Sequence, residues 1–415
     1  MTTQKINKAS QHLKPAPLLK WYRSPMKLMF ALYLATSFGF LAPTLKSLIP
    51  VDATFQSMAG ETAGGDFSVF YIAGQMVSKE RYDTLYQADT FAAAREKIFS
   101  PLGDGKLFFN YPPTAFLLFL PMSKLPYMPA YSLWIILMLT GTALTVYAFT
   151  RSKQLTAAAL LSPAFLWCII TGQIGFLTTI IMGSGLYMLT KGHKMTAGMV
   201  LGLLIIKPHV ALALPICLIA TKQWRTILGG IISSVTLVLI SLHLFGPEPW
   251  TALATQLSNN VTDHLSAHGG IAERIPTLFV TMMRLTNTET ISMSIHALGA
   301  IIAIVATAYI WRKSSDTTAR LITLFITPAL ISPYYFDYDL TGLGLIFAVL
   351  MVHVFNNKPK NSELIALAGI WGISVFMLLG KINILFTGPI FLLGLLYYAV
   401  YRARETPTHI NRPRA

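Results

Sequence analysis

The sequence predicts an all-α polytopic membrane protein with about twelve transmembrane helices and a long first loop on the outer side. Three observations lead to this prediction. The 415-residue chain is 54% hydrophobic, with a mean hydropathy of +0.57. Only 12% of its residues are charged, whereas soluble domains carry about 25%. Apolar runs of membrane length alternate with short stretches in which Lys and Arg cluster, as they do in cytoplasmic loops.

The net charge and the two cysteines indicate which kinds of binding are not expected of this protein. A formal net charge of +15 would suit binding to nucleic acid or anionic lipid. No long basic arm with interleaved aromatic residues is present, however, so nucleic-acid binding is not expected. Cys168 and Cys217 lie inside apolar runs and are interpreted as small hydrophobic residues rather than a disulfide pair or metal ligands.

The ends of the chain are expected to be cytoplasmic. A basic segment at 1–27 precedes an apolar run at about 28–49. That run is long and lacks a clean small-residue cleavage site, so it predicts an uncleaved first helix. A single transmembrane domain is expected over 28–401, followed by a cytoplasmic tail at 402–415.

Basic clusters pair the remaining helices, because the chain must cross the membrane an even number of times between two cytoplasmic clusters. Single crossings are expected at 226–245 and 291–311. The predicted pairs, each with its outer turn, are 155–190 with ITGQIGF, 195–221 with IIKPHVA, 319–355 with SPYYFDYD, and 363–401 with a turn at about Gly380–Lys381.

Several of these helices are too short to cross a bilayer alone. Residues 195–206 span only about 18 Å at a rise of 1.5 Å per residue, against a hydrocarbon core near 30 Å. Polar backbone at membrane depth needs partners, so such a helix must lie beside a polar cavity. The short pairs are those with polar outer turns, which predicts a cavity opening on the outer side.

Two outer loops are long, at about 50–111 and 246–290. In the first, FAAAREKIF at 91–99 predicts an amphipathic surface helix. The proline-broken segment 111–130 predicts a short dipping element before the next span. The second loop holds Asp263, His264, His268, Glu273 and Arg274, which do not complete a zinc spacing.

Asp66 follows Gly64–Gly65, just past the first helix. One interpretation makes it a general base, or a group that orients an acceptor hydroxyl. The other makes it the N-cap of the helix that starts at FSVFYIAGQM. The local pattern favours the cap, and the two roles are compatible.

Two further turns carry candidate binding residues. Lys207–Pro208–His209 could hold a phosphate, although a lysine snorkelling to the interface is the more common arrangement. The short helices on either side weigh against simple snorkelling, because they place this turn inside the cavity. Gln173 in TGQIG could hydrogen-bond a sugar or a phosphate, or serve only as a turn residue.

The run Tyr334–Tyr335–Phe336–Asp337–Tyr338–Asp339 suits a sugar or a lipid headgroup. An interfacial aromatic belt would explain the tyrosines but not the two aspartates. Those aspartates could hold a divalent cation together with phosphate, but two acids are few for such a site, so no metal is expected. The sequence contains no P-loop, GxGxxG, HExxH or GxSxG motif. An enzyme of this kind would need an activated substrate delivered within the membrane.

An ordered set of segments resembles glycosyltransferase family 87, from about Asp66 to about Leu345. The segments are GGDFSVFYIAGQM, LYQADTFAAAREKIF, FNYPPTAFLLFLPMSKLP, AYSLWIIL, TGQIGFLTT, AGMVLGLLIIKPHVALALPICLIATKQWR and LISPYYFDYDLTGLGL. That family consists of membrane enzymes with the GT-C fold, including actinobacterial mannosyltransferases that use polyprenyl-phosphate mannose.

The resemblance implies a specific activity. The expected protein is an inverting glycosyltransferase of a bacterial plasma (inner) membrane, with its active site on the extracytoplasmic face. It would move a hexose such as mannose, or a pentose, from a polyprenyl-phosphate-linked donor to a hydroxyl of a cell-envelope glycolipid or glycan. No cofactor is expected, and a divalent cation is not favoured. Its partners would be this donor, the acceptor and membrane lipids, and no nucleic acid.

The same resemblance implies roles for named residues. The family's first-loop aspartate matches Asp66, which raises catalytic base above helix cap. Lys207, His209 and Tyr338 would bind the donor phosphate. The residues expected to bind sugar or acceptor are Tyr71, Tyr111, Gln173, Tyr335, Asp337 and Asp339, with Phe67 and Phe70 as further walls of the pocket.

One departure from the family pattern affects the expected specificity. Some actinobacterial relatives carry a D-H-H run whose histidine suits the phosphate, whereas this chain has Asp337–Tyr338–Asp339. Either Tyr338 and Lys207 take over that role, or sugar and phosphate are held differently, so mannose specificity is not carried over. The alternatives are a transporter or flippase of a lipid-linked sugar, and a family member that only scaffolds envelope assembly. Matching halves, which a transporter would be expected to show, are not seen in the sequence.

Overall fold

The computed structural model describes residues 25–99, 109–265, 274–357, 359–379 and 384–406. Apart from two isolated β-bridges in the first loop, these residues contain helices and connecting segments but no strand. The α-helices are α1 (Pro25–Leu48), α2 (Phe67–Val77), α3 (Tyr82–Leu85), α4 (Ala88–Glu96), α5 (Phe116–Ser123), α6 (Tyr127–Thr150), α7 (Lys153–Leu160), α8 (Pro163–Thr171), α9 (Gly175–Thr190), α10 (Lys194–Gly202), α11 (Ala213–Ala220), α12 (Trp224–Phe245), α13 (Glu248–Leu265), α14 (Leu278–Thr286), α15 (Glu289–Lys313), α16 (Thr317–Ile331), α17 (Leu343–Asn356), α18 (Asn361–Leu379) and α19 (Ile384–Glu405).

The lengths and compositions of these helices identify a multi-pass membrane protein. Four spans in the described residues are long and apolar enough to cross a membrane, or up to five if one bent helix pair counts as a single span. The four are Tyr127–Thr150, Trp224–Phe245, Glu289–Lys313 and Asp337–Asn356. The helices predicted at 226–245 and 291–311 are therefore confirmed, whereas the total of about twelve stays a prediction.

The predicted helical pairs are present as interrupted helices. The first arm of the 155–190 pair is split into α7 and α8, bent by 50°. The break falls before Pro163, which has no backbone N–H to continue α7, and Ser162 Oγ accepts from the backbone N–H of Phe165 to start α8. Short 3₁₀ helices at Leu203–Ile206 and Pro208–Ala211 flank Lys207. The predicted turn at Gly380–Lys381 lies outside the described residues.

The amphipathic surface helix predicted in the first loop is present. The pattern at 91–99 corresponds to α4, which buries Phe91 and Arg95 on one face and exposes Ala93 and Glu96 on the other. Arg95 donates to Thr62 Oγ1 at 2.6 Å and to Ser68 Oγ at 2.9 Å. The amphipathic helix is therefore confirmed, and its buried face includes an arginine that has internal polar partners. A 3₁₀ turn at Pro113–Ala115 and α5 form a short helical element before α6, as expected at 111–130, and its dip into the membrane stays a prediction.

Ion pairs close the end of the bundle at which α16 and α18 begin and α19 ends. Arg402 is buried and bridges Asp316 and Glu363, with nitrogen–oxygen distances of 2.8 and 3.3 Å. His353 approaches the same Glu363 at 3.0 Å. The predicted turns around Gln173, Lys207 and Asp337 contact one another in a different part of the bundle.

Candidate active site

Asp66 occupies the position before α2 without capping it. Its backbone dihedrals are already helical, at φ −69° and ψ −11°, and its side chain makes no capping hydrogen bond. The preceding Gly64 and Gly65 have φ of +82° and +48°, values that favour glycine. The backbone N–H of Asp66 donates to the carbonyl of Thr171 at 2.7 Å. The N-cap interpretation is therefore wrong, since a tertiary contact and not α2 sets the position of this carboxylate.

Gln173 holds the Asp66 carboxylate directly. Its Nε2 donates to Asp66 Oδ2 at 2.7 Å, and its Oε1 accepts from the Tyr111 hydroxyl at 3.2 Å. Within the described part of the chain, Asp66 Oδ1 accepts no hydrogen bond, and the residue is half-buried. Gln173 is thus more than a turn residue: it fixes one carboxylate oxygen and leaves the other available.

The TGQIG turn connects two parts of the site through its glycines. A Cβ on Gly172, whose φ is +62°, would lie 2.2 Å from the carbonyl oxygen of Gly64. A Cβ on Gly175 would lie 2.2 Å from the carbonyl oxygen of Tyr338. Only glycine allows either approach. The turn therefore packs against the Asp66 loop on one side and the Tyr338 segment on the other.

Lys207 is buried beside the Asp-Tyr-Asp run and forms an ion pair with Asp339. Its side chain is 4% exposed, so the interpretation of a snorkelling lysine is wrong. Its Nζ lies 4.7 Å from the ring centroid of Tyr338 and 5.7 Å from that of Tyr111. His209 Nε2 is 3.4 Å from Asp339 Oδ2, and its side chain is 30% exposed. The Asp-Tyr-Asp run lacks the histidine of some relatives, but His209 from another turn lies beside it.

Asp337 is engaged by Arg274, which the sequence placed in the second loop without a role. Arg274 Nε and Nη2 each lie 3.4 Å from an Asp337 oxygen, and the backbone N–H of Tyr338 donates to Asp337 Oδ1 at 2.7 Å. The Arg274 Cζ atom lies 5.3 Å from the Trp167 ring centroid and 5.2 Å from that of Tyr338. No local motif marks Arg274, because its partner is 63 residues away.

The electrostatic setting favours a charged Arg274 and a protonated Tyr111. Burial lowers the pKa of Arg274, but the nearby carboxylates of Asp337 and Asp66 raise it more, and the net pKa is above its usual value. Burial, with the carboxylates of Asp339 and Asp66, raises the pKa of Tyr111 well above its usual value. Tyr111 therefore remains a hydrogen-bond donor toward Gln173.

The tyrosines of the Asp-Tyr-Asp segment do not form an aromatic belt at a membrane interface. Tyr335 and Tyr338 are buried. The Tyr335 hydroxyl donates to the backbone carbonyl of Asp339 at 3.1 Å, and the Tyr338 ring stacks on Phe336 with centroids 5.0 Å apart. The belt interpretation is wrong for these two residues, which support the buried aspartate and the two cations.

Tyr71 and Phe67 are placed differently from the expected pocket walls. The Tyr71 hydroxyl donates to the carbonyl of Leu125 at 2.8 Å, and its ring packs against Tyr127. Phe67 also packs against Tyr127, in an aromatic core behind α2. Phe70 contacts the Tyr111 ring edge-on at a centroid distance of 5.3 Å. Of these three residues, only Phe70 supports a member of the site through a described contact.

The contacts define one polar cluster with three carboxylates, two basic side chains, a histidine and aromatic walls. We use this name for Asp66, Tyr111, Gln173, Lys207, His209, Arg274, Asp337, Tyr338 and Asp339. A carboxylate with one available oxygen beside cations can accept a proton and stabilise a developing anion. Among the described residues, no group of three or more His, Cys, Asp or Glu side chains could hold a metal ion. The side chains of Asp263 and His264, and the whole of His268 and Glu273, lie outside the description.

Comparison with known proteins gives one match. The model of glycosyltransferase family 87 matches residues 108–333, more than half of the chain. This range includes Tyr111, Gln173, Lys207 and Arg274, whereas Asp66 lies before it and the Asp-Tyr-Asp run lies after it. No curated protein and no solved structure matches.

Proposed function

The chain belongs to glycosyltransferase family 87, whose members are membrane glycosyltransferases, and from this premise we propose its donor, its mechanism and its site. The donor is a hexose or pentose linked to polyprenyl phosphate. The acceptor is a hydroxyl group of a cell-envelope glycolipid or glycan. The family assignment favours an enzyme that transfers a sugar over the alternative of a transporter or flippase of a lipid-linked sugar.

The observation that carries this proposal is the Asp66 carboxylate, half-buried, held at Oδ2 by Gln173 and open at Oδ1. In the proposed inverting reaction, Oδ1 takes the proton of the acceptor hydroxyl as that oxygen attacks the anomeric carbon. The new carbon–oxygen bond forms as the bond to the phosphate oxygen breaks. The electron pair of the broken bond stays on the leaving polyprenyl phosphate.

The phosphate is proposed to lie beside Lys207, His209 and Tyr338. His209 is the accessible member, while Lys207 is buried against Asp339. A phosphate that reaches this pair competes with Asp339 for the ammonium group, which lies over the Tyr338 ring. Cations placed where negative charge develops stabilise the transition state and so lower the activation barrier. Because they are already in place, no further reorganisation is needed during the reaction.

The sugar and the acceptor are proposed to lie near Tyr111 and Gln173, which adjoin the available oxygen of Asp66. Tyr335 and Asp339 have their own buried partners and are proposed to support the site from behind. Tyr71 is not included, because its described contacts belong to the aromatic core behind α2.

The proposed orientation places the polar cluster on the extracytoplasmic face of a bacterial plasma membrane, with both termini in the cytoplasm. The basic stretches between apolar runs support this orientation, since Lys and Arg concentrate in cytoplasmic loops. The sequence contains no motif for binding a nucleotide in a soluble domain, which favours a lipid-linked donor over a nucleotide sugar. The proposed use of such a donor on the outer face agrees with this orientation.

The test is transfer by purified protein in proteoliposomes. A panel of polyprenyl-phosphate hexoses and pentoses would be incubated with envelope lipids, and both transferred sugar and released polyprenyl phosphate measured. Asp66→Asn should lower transfer about 10²- to 10⁴-fold, the usual contribution of a general base, while donor binding is retained. Asp52→Asn is the control, because Asp52 is exposed and the described hydrogen bonds of its carboxylate come from Thr54 and Gln56. Unchanged transfer by Asp66→Asn would exclude this mechanism.

A further inference from the structure

Arg274 is a cation of the polar cluster to which the proposed reaction assigns no role. The Arg274 side chain is 31% exposed, whereas the side chain of Lys207, the other basic residue beside Tyr338, is 4% exposed. Both contact the Tyr338 ring, with Nζ of Lys207 at 4.7 Å and Cζ of Arg274 at 5.2 Å from the centroid. Arg274 is therefore the permanently charged group that a ligand entering the cluster reaches more easily.

The guanidinium group has unused capacity to bind an oxyanion. It carries five N–H donors, and its described hydrogen bonds use only Nε and Nη2, both toward Asp337. Each of these contacts is 3.4 Å, longer than the usual 2.7–3.2 Å of an N–H···O bond. A planar fork of donors suits the bidentate recognition of phosphate oxygens.

The same group is held in place before any ligand arrives. Its Cζ lies over the Trp167 ring at 5.3 Å as well as over Tyr338. Trp167 belongs to α8, the helix that ends at Thr171, whose carbonyl accepts from the backbone N–H of Asp66. One short helix thus positions both the proposed base and this arginine, and ordering them beforehand lowers the cost of binding.

We propose that Arg274 binds the phosphate of the lipid-linked donor, and that Asp337 positions Arg274 instead of binding sugar or acceptor. This inference rests on the proposed function. The phosphodiester of the donor carries one negative charge, and the departing phosphate monoester gains a second as the anomeric carbon–oxygen bond breaks. Lys207 is closely paired with Asp339, so Arg274, loosely paired with Asp337, is the cation free to approach that added charge. The acceptor proton goes to Asp66, so the step requires no proton transfer to or from Arg274, which stays charged.

The experiment measures binding of a short-chain polyprenyl phosphate to the full-length protein in detergent, together with donor KM and kcat. Arg274→Gln should weaken phosphate binding about 30-fold or more, the usual effect of removing a charged hydrogen-bonding partner. Arg274→Lys should recover part of the affinity, because a lysine supplies charge without the planar fork. Arg151→Gln is the matched control: this arginine contacts the ring and hydroxyl of Tyr187 and is not in the polar cluster. It should bind like the unmodified protein.

A second variant separates binding from folding, because Arg274→Gln leaves the buried Asp337 carboxylate without its cation. Arg274→Gln/Asp337→Asn removes both charges and should restore thermal stability without restoring phosphate affinity. Recovery of full affinity in this double variant, or unchanged affinity in Arg274→Gln, would overturn the role of Arg274. If the unmodified protein binds no polyprenyl phosphate, the proposed donor class itself fails, and the inference fails with it.

Discussion

Gln173 Nε2 and Asp66 Oδ2 lie 2.7 Å apart although the two residues are separated by 107 positions in the chain. The bond holds the carboxylate through a neutral amide donor. It also distinguishes the two carboxylate oxygens, since Oδ2 is occupied and Oδ1 is open. The reaction that we propose depends on this difference.

Replacing Gln173 by Glu should change the pH dependence of transfer. The variant places a second carboxylate beside Asp66, and two adjacent carboxylates cannot both ionise easily. The pair then retains a proton to higher pH, so the acid limb of the kcat profile should move to higher pH by about one unit or more. Gln173→Leu, which removes the hydrogen bond without adding charge, should lower kcat with a smaller shift. Identical profiles for all three proteins would show that this bond does not influence the base.

Gly172→Ala should damage the site through the backbone. The new Cβ would meet the carbonyl oxygen of Gly64 at 2.2 Å and push the Asp66 loop away. Displacements near 1 Å can cost about 100-fold in rate. Gly60→Ala is the control, because Gly60 also has a positive φ, +92°, but open space around it. Transfer by both variants, normalised to the amount of folded protein, would be compared. Equal losses would indicate that backbone strain alone is responsible.

The Lys207–Asp339 pair should show strong coupling in stability. Lys207→Met leaves a buried carboxylate and Asp339→Leu leaves a buried ammonium, and each single change should cost about 3–5 kcal/mol. The double variant removes both charges and should recover most of the loss in thermal unfolding in detergent. Its transfer activity should remain low, because the proposed phosphate contact is gone. Single variants as stable as the unmodified protein would argue against a buried ion pair.

Arg95 should matter for activity although it is not in the polar cluster. It bonds Thr62 and Ser68, which lie on either side of Asp66 in the chain. Arg95→Gln should let this segment shift and lower kcat/KM about 10- to 100-fold, because catalytic geometry tolerates little displacement. Arg81→Gln, at an exposed position in the same loop, is the control. Equal activities of the two variants in a transfer assay would show that Arg95 does not position Asp66.

The features that could be predicted from the sequence are those that depend on short local patterns of residues. Apolar runs and basic clusters depend on neighbouring residues, so the helices at 226–245 and 291–311 and the turns at Gln173 and Lys207 were predictable. The family model independently supports the glycosyltransferase assignment that the ordered segments suggested. Candidate residues in polar turns, such as Lys207 and Asp339, meet in space because a buried charge requires a partner.

The errors have a shared physical origin in tertiary contacts. An aspartate before a helix has the pattern of an N-cap, but Asp66 instead accepts from Gln173. Tyr335 and Tyr338 have the pattern of an interfacial aromatic belt, but both are buried in the protein. Arg274 had no sequence signal at all, because its role depends on a pairing 63 residues away.

The two glycines of the TGQIG turn have a consequence for how specificity can diverge. Gly172 and Gly175 bring the main chain of the Asp66 loop and of the Tyr338 segment against one short turn. Backbone approach then sets the spacing of these two segments, and Gln173 fixes the Asp66 carboxylate within it. In the reaction that we propose, substitutions at Tyr111 would change which sugar is accepted while these two segments keep their spacing, so new substrates can be acquired without rebuilding the backbone of the site.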